Sequence, residues 1–302
     1  MAKKALNKLV IVALLLLGMG NVMADEVKLK PFVLASKGTG TLAEMTEKSK
    51  AALTAGGFTV VGEYSPYADA DIIIVTNDAM KANAAASEHG GFGAVQRVAV
   101  TKVKDEVQVS YTNPVYMANA YRMKNDLSGV AAGLKAALGM VEEFGSKQGM
   151  TAGKARKYHY MISMEYFDEP SLLAEYDNYD EAIKYVDTGL AENKYGVSKV
   201  YRVDVPGKQE SLFGVAMKGA TEADKYMDDR FIMSEIDFRD IKSTAHLPYE
   251  VLVSGNKVYA LYARFRIAIN FPDLSMIGKN SFMNIMKTPE AIRTALQNTV
   301  RK

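Results

Sequence analysis

The chain has 302 residues, of which 37 are basic and 35 acidic, and this near balance argues against a nucleic-acid partner because binding phosphates requires a basic surface. It contains no cysteine, which excludes disulfides, thiolate metal sites, a cysteine nucleophile and covalently attached c-type haem. Methionine is abundant at 17 residues, whereas histidine, the usual catalytic side chain near neutral pH, occurs only three times.

Residues 1–24 have the layout of a secretory signal peptide. Three lysines precede the apolar run 9–17, and small residues lead up to Ala24. The apolar run is about half as long as a membrane-spanning helix requires, and there is no cysteine for lipid attachment. We therefore expect cleavage after Ala24, a periplasmic location and no stable membrane anchor after cleavage. The remaining 278 residues carry 34 basic and 35 acidic side chains and suffice for two ordinary domains.

Residues 25–144 are predicted to form a first α+β domain. Hydrophobic periodicity and turn residues predict a strand within 27–36 and then a helix from Thr41 to Gly57. Strands follow at 58–64 and 71–76, with a turn at Ser65-Pro66 between them, and then a short helix at 81–87 and a flexible glycine-rich loop at 88–93. After this loop comes a β-hairpin, 97–113, which turns at Lys104-Asp105 and stops at Pro114 because proline cannot donate to a strand ladder; a helix at 127–138 ends the domain.

A glycine- and lysine-rich stretch, 145–156, is predicted to be a linker, and 157–302 a second, divergent α+β domain. Its predicted elements are a strand at 157–165, a helix capped by Asn178, strands at 197–205 and 211–217, a helix at 221–229, a hairpin turning at 254–257 and a helix from Thr288. The return strand of this hairpin is predicted to be longer, because turn and proline are sixteen residues apart (Asn256 to Pro272) rather than nine (Asp105 to Pro114). A bulge or an insertion would also account for the seven extra residues.

The two halves share one predicted order of elements, strand–helix–strand–strand–helix–hairpin–helix. This order predicts the fold class: α+β, with two tandem two-layer α/β sandwich domains, each a sheet with a central antiparallel hairpin and helices packed on it.

Three motifs in the first half resemble a known family. They are Gly57-Phe58 followed by Val60-Val61, the strand IIIVTND, and the hairpin RVAVTKVKDEVQVSYTNPVYM. Together, over residues 41–123, they resemble the bacterial and archaeal family called domain of unknown function 302, and the second half resembles it more weakly. The resemblance implies a compact α/β sandwich, is compatible with a homodimer and implies no established activity. The chain departs from the family where Thr76-Asn77-Asp78 replaces Cys-Asn-Pro and where Ala94-Val95 replaces Leu-Pro.

The strand ends near the hairpins are the predicted place for a ligand, since polar groups beside a loop are well placed to bind small molecules. The predicted polar lining consists of Arg97, Asn113, Tyr116, Arg264 and Arg266. A structural interpretation stands beside it: Asn-Pro is a common turn opener, and the arginines then simply face water.

A metal site is the other chemical hypothesis. His159 and Met161 would lie on one face of the predicted strand 157–165, and thioethers bind Cu(I) in an oxidising compartment. The alternative is that both are ordinary sheet residues. His89, in the glycine-rich loop, and the acidic run 165–181 are interpreted as solvated loop features.

No GxSxG, HExxH or phosphate-binding glycine loop occurs in the chain. The sequence therefore favours an exported, non-enzymatic module that binds a small ligand or a periplasmic protein, without a cofactor. Two alternatives stay open: a periplasmic enzyme that lacks a short motif, and a copper-handling protein that uses methionine and histidine. The sequence leaves open whether the protein is an enzyme.

Overall fold

The computed structural model describes residues 26–161 and 164–302, and their fold is α+β. The first half contains strands β1 (Lys28–Leu29), β2 (Phe32–Gly38), β3 (Thr59–Tyr67), β4 (Ala70–Thr76), β5 (Gln96–Val103), β6 (Glu106–Thr112) and β7 (Glu142–Phe144) and helices α1 (Leu42–Ala55), α2 (Asp78–Ala85), α3 (Pro114–Ala120) and α4 (Ser128–Leu138). The second half contains strands β8 (Met150–Thr151), β9 (Ser171–Glu175), β10 (Val197–Asp204), β11 (Glu210–Met217), β12 (Tyr249–Ser254) and β13 (Lys257–Ala260) and helices α5 (Ala152–Arg156), α6 (Tyr179–Glu192), α7 (Asp229–Ile236), α8 (Ala263–Asn270) and α9 (Thr288–Val300).

Local signals set the start of several of these helices. The Thr41 hydroxyl accepts a hydrogen bond from the Glu44 backbone at 3.2 Å, and the Glu44 carboxylate accepts one from the Thr41 backbone at 2.9 Å, which confirms the predicted capping box of α1. Asn178 caps α6 in the predicted way, by accepting from the backbone of Glu181.

Apart from β1 and β8, which pair with each other, the described strands assemble into two antiparallel sheets with a similar internal order. The first sheet runs β3-β4-β5-β6-β2-β7, and the second runs β10-β11-β12-β13-β9. In both sheets the hairpin lies in the interior, and its return strand pairs with an earlier strand of the same half: β6 with β2, and β13 with β9. The buried apolar residues of both sheets nevertheless form one continuous cluster. The division into two domains stays a prediction.

The two halves pack on each other reciprocally. The 3₁₀-helical segment Gly90–Gly93, which precedes the first hairpin, lies on β11 and β12 of the second sheet. The corresponding segment Thr244–His246 lies on β4, β5 and β6 of the first sheet. Polar side chains bind across this interface: Thr101 on β5 donates to the Thr244 hydroxyl at 3.0 Å. Each hairpin of the repeat is thus covered partly by the other half.

The predicted strand at 157–165 is wrong for the residues of that stretch that the structure describes, since 157–161 and 164–165 form no strand. Its place in the second sheet is taken by β9, which pairs with β13. Tyrosine and methionine alternate in this stretch as they do in strands, but Met161 is half exposed and does not line a sheet core. Alternation favours a strand only when a partner edge is open, and β9 occupies that edge.

The predicted longer return strand of the second hairpin is also wrong. Strand β13 is only four residues long, and helix α8 follows after two further residues. Helix α8 corresponds to α3, which begins at Pro114 in the first half. The second half has no proline at this change from strand to helix. The side chains of 263–270 alternate in character as they do in a strand, and this pattern therefore predicts a strand where the structure has a helix.

Other segments differ from the prediction in conformation. The loop at 88–93, predicted to be flexible, contains the buried segment Gly90–Gly93. Ser65-Pro66, predicted as a turn, lies within β3 at a register shift. The predicted linker at 145–156 contains β8, which pairs with β1, and α5. The predicted helix at 221–229 is a 3₁₀ helix over Glu222–Met227, and α7 follows it.

No helix in the described part of the chain is long and apolar enough to cross a membrane. The predicted signal peptide, residues 1–24, lies outside the described residues.

Candidate functional site

Two of the predicted ligand residues, Arg97 and Arg266, meet at the centre of the interface between the halves. Both contact Glu250 on β12: Arg97 forms an ion pair with it, and Arg266 Nη2 lies 3.3 Å from Glu250 Oε2. All three side chains are at least 97% buried. The structure therefore brings these two predicted residues together, but in a closed ionic cluster that solvent does not reach.

Hydrogen bonds to the backbone hold this cluster in place. Arg97 Nε donates to the carbonyl of Ala245 at 2.9 Å, and Arg266 Nη2 donates to the carbonyls of His246 and Pro248 at 2.6 Å. Burial opposes the charge on Arg97, but the Glu250 carboxylate favours it, and the pKa of Arg97 lies above its ordinary value. The cluster thus ties the hairpin of one half to that of the other.

Asn113 and Tyr116 lie at the start of α3 and have structural partners. The Asn113 side chain accepts from the backbone N–H of Val115 at 3.2 Å, so it caps the helix. The Tyr116 hydroxyl is buried and donates to the carbonyl of Ile269 at 2.7 Å. Burial raises the pKa of Tyr116 well above its ordinary value. Asn113-Pro114 is therefore a strand stop that also begins a helix.

Arg264, the remaining predicted ligand residue, lies apart from this cluster on α8. It forms an ion pair with Glu165 through two nitrogens. Burial raises the pKa of Glu165, but the hydrogen bonds from Arg264 lower it more, so its pKa lies below the ordinary value. Arg264 also lines an apolar pocket.

This pocket is small and almost entirely hydrophobic. Its volume is about 40 Å³, and its lining residues are Tyr160, Met164, Arg264, Ile267, Ala268, Phe271, Leu274, Met276 and Phe282. Helix α8 supplies the floor, and the loop that follows it supplies one wall. The Tyr160 hydroxyl lies 2.7 Å from the sulfur of Met276 and closes one side.

The two segments that contribute Tyr160, Met276 and Phe282 to this pocket, 160–161 and 276–286, also carry exposed large hydrophobic side chains. Between 38% and 70% of the surface of each is open to solvent; we call this set the methionine surface, and its members are Tyr160, Met161, Met276, Ile277, Met283 and Met286. The loop that carries four of them is held by backbone bonds from Phe282 to Ser275 at 2.8 Å and from Met283 to Met276 at 3.2 Å. Exposed apolar residues grouped on an ordered loop are typical of a binding surface.

The predicted metal ligands His159 and Met161 lie at the rim of this region. His159 Nε2 is 2.9 Å from the Met164 carbonyl, so this nitrogen donates a proton and is not a metal ligand in this arrangement. The strand that would have placed both side chains on one face is not formed over 157–161. In residues 26–161 and 164–302, no group of three or more histidine, aspartate or glutamate side chains is arranged to hold a metal ion. The metal site stays a prediction.

Sequence reasoning missed the methionine surface. The available signal was local: 276–286 contains three methionines, two isoleucines and a phenylalanine without helical or strand periodicity. A stretch without periodicity is typical of a loop, and in this loop all of the apolar residues except Ile285 and Phe282 are exposed.

Comparison with known proteins gives no relative for this chain. No family model matches it, and neither does any curated protein or any solved structure. The resemblance to domain of unknown function 302 therefore stays a prediction.

Proposed function

We propose that this protein is an exported, non-enzymatic interaction module that binds a periplasmic protein through the methionine surface and the apolar pocket beside it. The observation that carries the proposal is the presence of six exposed large hydrophobic side chains on the two short segments, 160–161 and 276–286, that also line one apolar pocket. Methionine is flexible and polarisable, so a surface rich in it adapts to the shape of a partner.

The size of the pocket favours a protein partner over a small ligand. Sites for small molecules usually enclose about 300–1,000 Å³, whereas this pocket measures about 40 Å³. It therefore suits one apolar side chain that projects from a larger surface. The surrounding methionines would then cover the rest of the contact, which matches the arrangement of an anchor residue within an apolar ring.

Ile277 is the test position, because it is 70% exposed and Val141, a β-branched residue outside the surface, is a matched control at 64%. A photo-crosslinking amino acid at 277 is expected to capture a discrete partner protein in the native cells, and one at 141 to capture none. In a protein that carries the cross-linking amino acid at 283, Ile277→Asp should abolish the cross-linked product, and Val141→Asp should not. Equal products from both positions, or none from either, would contradict the proposal.

An apolar small ligand is the second candidate, and it is favoured by the closed, hydrophobic floor of the pocket. Ala268 lies in that floor with 7% of its surface exposed, so Ala268→Leu fills the space. If native mass spectrometry of protein from the periplasm detects a bound small molecule that Ala268→Leu removes, the small-ligand function replaces the protein-binding one.

A further inference from the structure

A second open site lies where the first half passes into the second. This cleft measures about 520 Å³ and is lined by Arg122, Gly153, Arg156, Lys157 and Tyr166. We call it the basic cleft. Its lining includes three cationic side chains, and two carboxylates lie beside them. Asp168 pairs with Arg122, and Glu169 accepts from the backbone N–H of Tyr166 at 3.0 Å. The net charge of this group is therefore positive.

Arg122 occupies a backbone position that normally belongs to glycine. Helix α3 ends in a Schellman motif, in which the backbone N–H of Met123 donates to Ala118 at 2.8 Å and that of Arg122 donates to Asn119 at 3.0 Å. Arg122 has the left-handed φ of 47° that this motif requires. A side chain costs free energy there and glycine costs little. A residue other than glycine at such a position departs from the local backbone preference, and departures of this kind mark candidate functional positions.

The guanidinium groups of both arginines are fixed before any ligand arrives. Arg122 Nε donates to the carbonyl of Arg156 at 3.0 Å, and Arg122 Cζ lies 5.7 Å from the centre of the Tyr166 ring. Arg156 Nη1 donates to the carbonyl of Met123 at 2.9 Å. These bonds leave further N–H groups of each guanidinium for a ligand, and Lys157 has no ion pair among the described residues. Such preorganisation reduces the entropy lost on binding.

We propose that the basic cleft binds a dianionic phosphate group. Three cationic side chains at one site attract a dianion more strongly than a single carboxylate, which carries half its charge. Guanidinium forks match the oxygen geometry of phosphate, and lysine adds a point charge. The Tyr166 ring lies beside Arg122 and is stacked on the His159 ring, with 4.2 Å between the ring centres, so it lines the cleft in a fixed orientation. The proposal concerns a surface separate from the methionine surface and does not depend on it.

Two sources supply this chemistry: a soluble phosphate compound and the phosphomonoester headgroup of a lipid. Isothermal titration calorimetry of the full chain with inorganic phosphate tests the first source. Titration with phosphatidic acid vesicles, compared with phosphatidylcholine vesicles, tests the second. Saturable binding of inorganic phosphate would show that the cleft takes a soluble phosphate compound. Binding of phosphatidic acid vesicles without binding of inorganic phosphate would show that it takes the lipid headgroup. If neither phosphate-bearing probe binds saturably, the proposal is wrong.

Variants distinguish specific binding in the basic cleft from general electrostatic attraction of anions to the protein surface. The double variant Arg156→Gln/Lys157→Gln is expected to weaken phosphate binding by about tenfold or more. Lys154→Gln is the control, because Lys154 lies exposed on the same short helix and does not line the cleft. Since Arg156 also holds the Met123 carbonyl, Lys157→Gln alone, at an exposed side chain, checks the result without disturbing the fold. An equal loss in Lys154→Gln would overturn the proposal.

Discussion

Replacing Glu250 by glutamine is expected to lower the free energy of unfolding by about 3–5 kcal/mol, the usual cost of breaking a buried ion pair. Glu250 is the one carboxylate that contacts both Arg97 and Arg266 in the described structure, and all three side chains are closed to solvent. Glutamine keeps the shape of the side chain but removes its charge. Two buried guanidinium groups then lose their counter-charge in a medium that stabilises isolated ions poorly.

A matched substitution at the surface isolates this effect. Glu290 pairs with Arg293 one helical turn away, at 2.6 Å; Glu290 is exposed and Arg293 is half-buried. Glu290→Gln should therefore change the free energy of unfolding by about 0.5 kcal/mol or less. Urea titrations followed by circular dichroism measure both variants. If the two losses are equal, the Glu250 cluster does not stabilise the fold as argued.

The packing around Glu250 also requires one particular residue type, a glycine, on the neighbouring strand. Tyr201 donates to Glu250 at 3.3 Å, and its ring passes over Gly214 on the neighbouring strand β11. A β-carbon at Gly214 would lie 1.9 Å from Tyr201 Cε1, so only glycine leaves room for this ring. The geometry of the cluster thus depends on the absence of a side chain at Gly214 as well as on the charges.

The reciprocal packing of the halves explains why their interface is so polar. Each hairpin offers backbone and side-chain hydrogen-bonding groups to the other half, as when Gly91 N–H donates to Glu210 at 2.6 Å. Each half uses corresponding elements to contact the other half, as the two subunits of a two-fold symmetric dimer do. Because such groups are buried, they need hydrogen-bond partners, and for Gly91 and Arg97 these partners come from the opposite half.

Much of the fold follows from local sequence signals. Thr41 with Glu44, Asn178 and Asn113 each bond the backbone within four residues, so their effect is visible in the sequence. The hairpin over 97–113 is defined by its own alternation and by Pro114. Signals of this kind do not depend on the rest of the chain.

The sites depend on contacts that the sequence does not reveal. Arg97 and Glu250 are 153 residues apart, and nothing near either one predicts their pairing. An arginine next to a strand end has the same local pattern whether it faces water or a buried carboxylate. The short strand β13 was missed for a related reason, since the alternation of 263–270 fits a strand until tertiary packing selects a helix.

The free energy of unfolding is expected to depend on pH through Asp229. This residue begins α7 and is 1% exposed. One of its oxygens accepts from the Tyr64 hydroxyl at 2.7 Å and from the Met217 backbone at 3.0 Å, which joins the two halves. The other oxygen has no hydrogen-bond partner in the described structure. Burial raises the pKa of Asp229 to about 7, although these hydrogen bonds lower it.

The direction of the effect follows from proton binding. In the unfolded chain an aspartate has a pKa of about 3.9, so between about pH 4 and pH 7 the folded state binds the proton and the unfolded state does not. The contribution of Asp229 to stability is therefore fully present below about pH 4 and is lost as the pH rises to about 7. A difference of about three pKa units corresponds to about 4 kcal/mol.

Asp229→Asn removes this ionisation and keeps an oxygen that accepts from Tyr64 and Met217. Relative to the variant, the unmodified protein should lose about 4 kcal/mol of unfolding free energy between pH 4 and pH 8. Asp237, whose pKa burial raises to about 6, acts in the same direction, and His246, whose pKa burial lowers, acts in the opposite one. Both are present in the two proteins, so their effects cancel in the difference.

The neighbouring Asp228 supplies the control, because it caps α7 by accepting from the Phe231 backbone at 2.9 Å and asparagine caps a helix equally well. The charge of Asp228 also raises the pKa of Asp229, but burial is the larger cause, so Asp228→Asn should keep the loss of stability between pH 4 and pH 8 that Asp229→Asn removes. Urea midpoints measured at intervals from pH 4 to pH 8 give the three profiles. Parallel profiles for the unmodified protein and Asp229→Asn would show that the carboxyl is ionised throughout this range, and that burial of Asp229 does not keep it protonated.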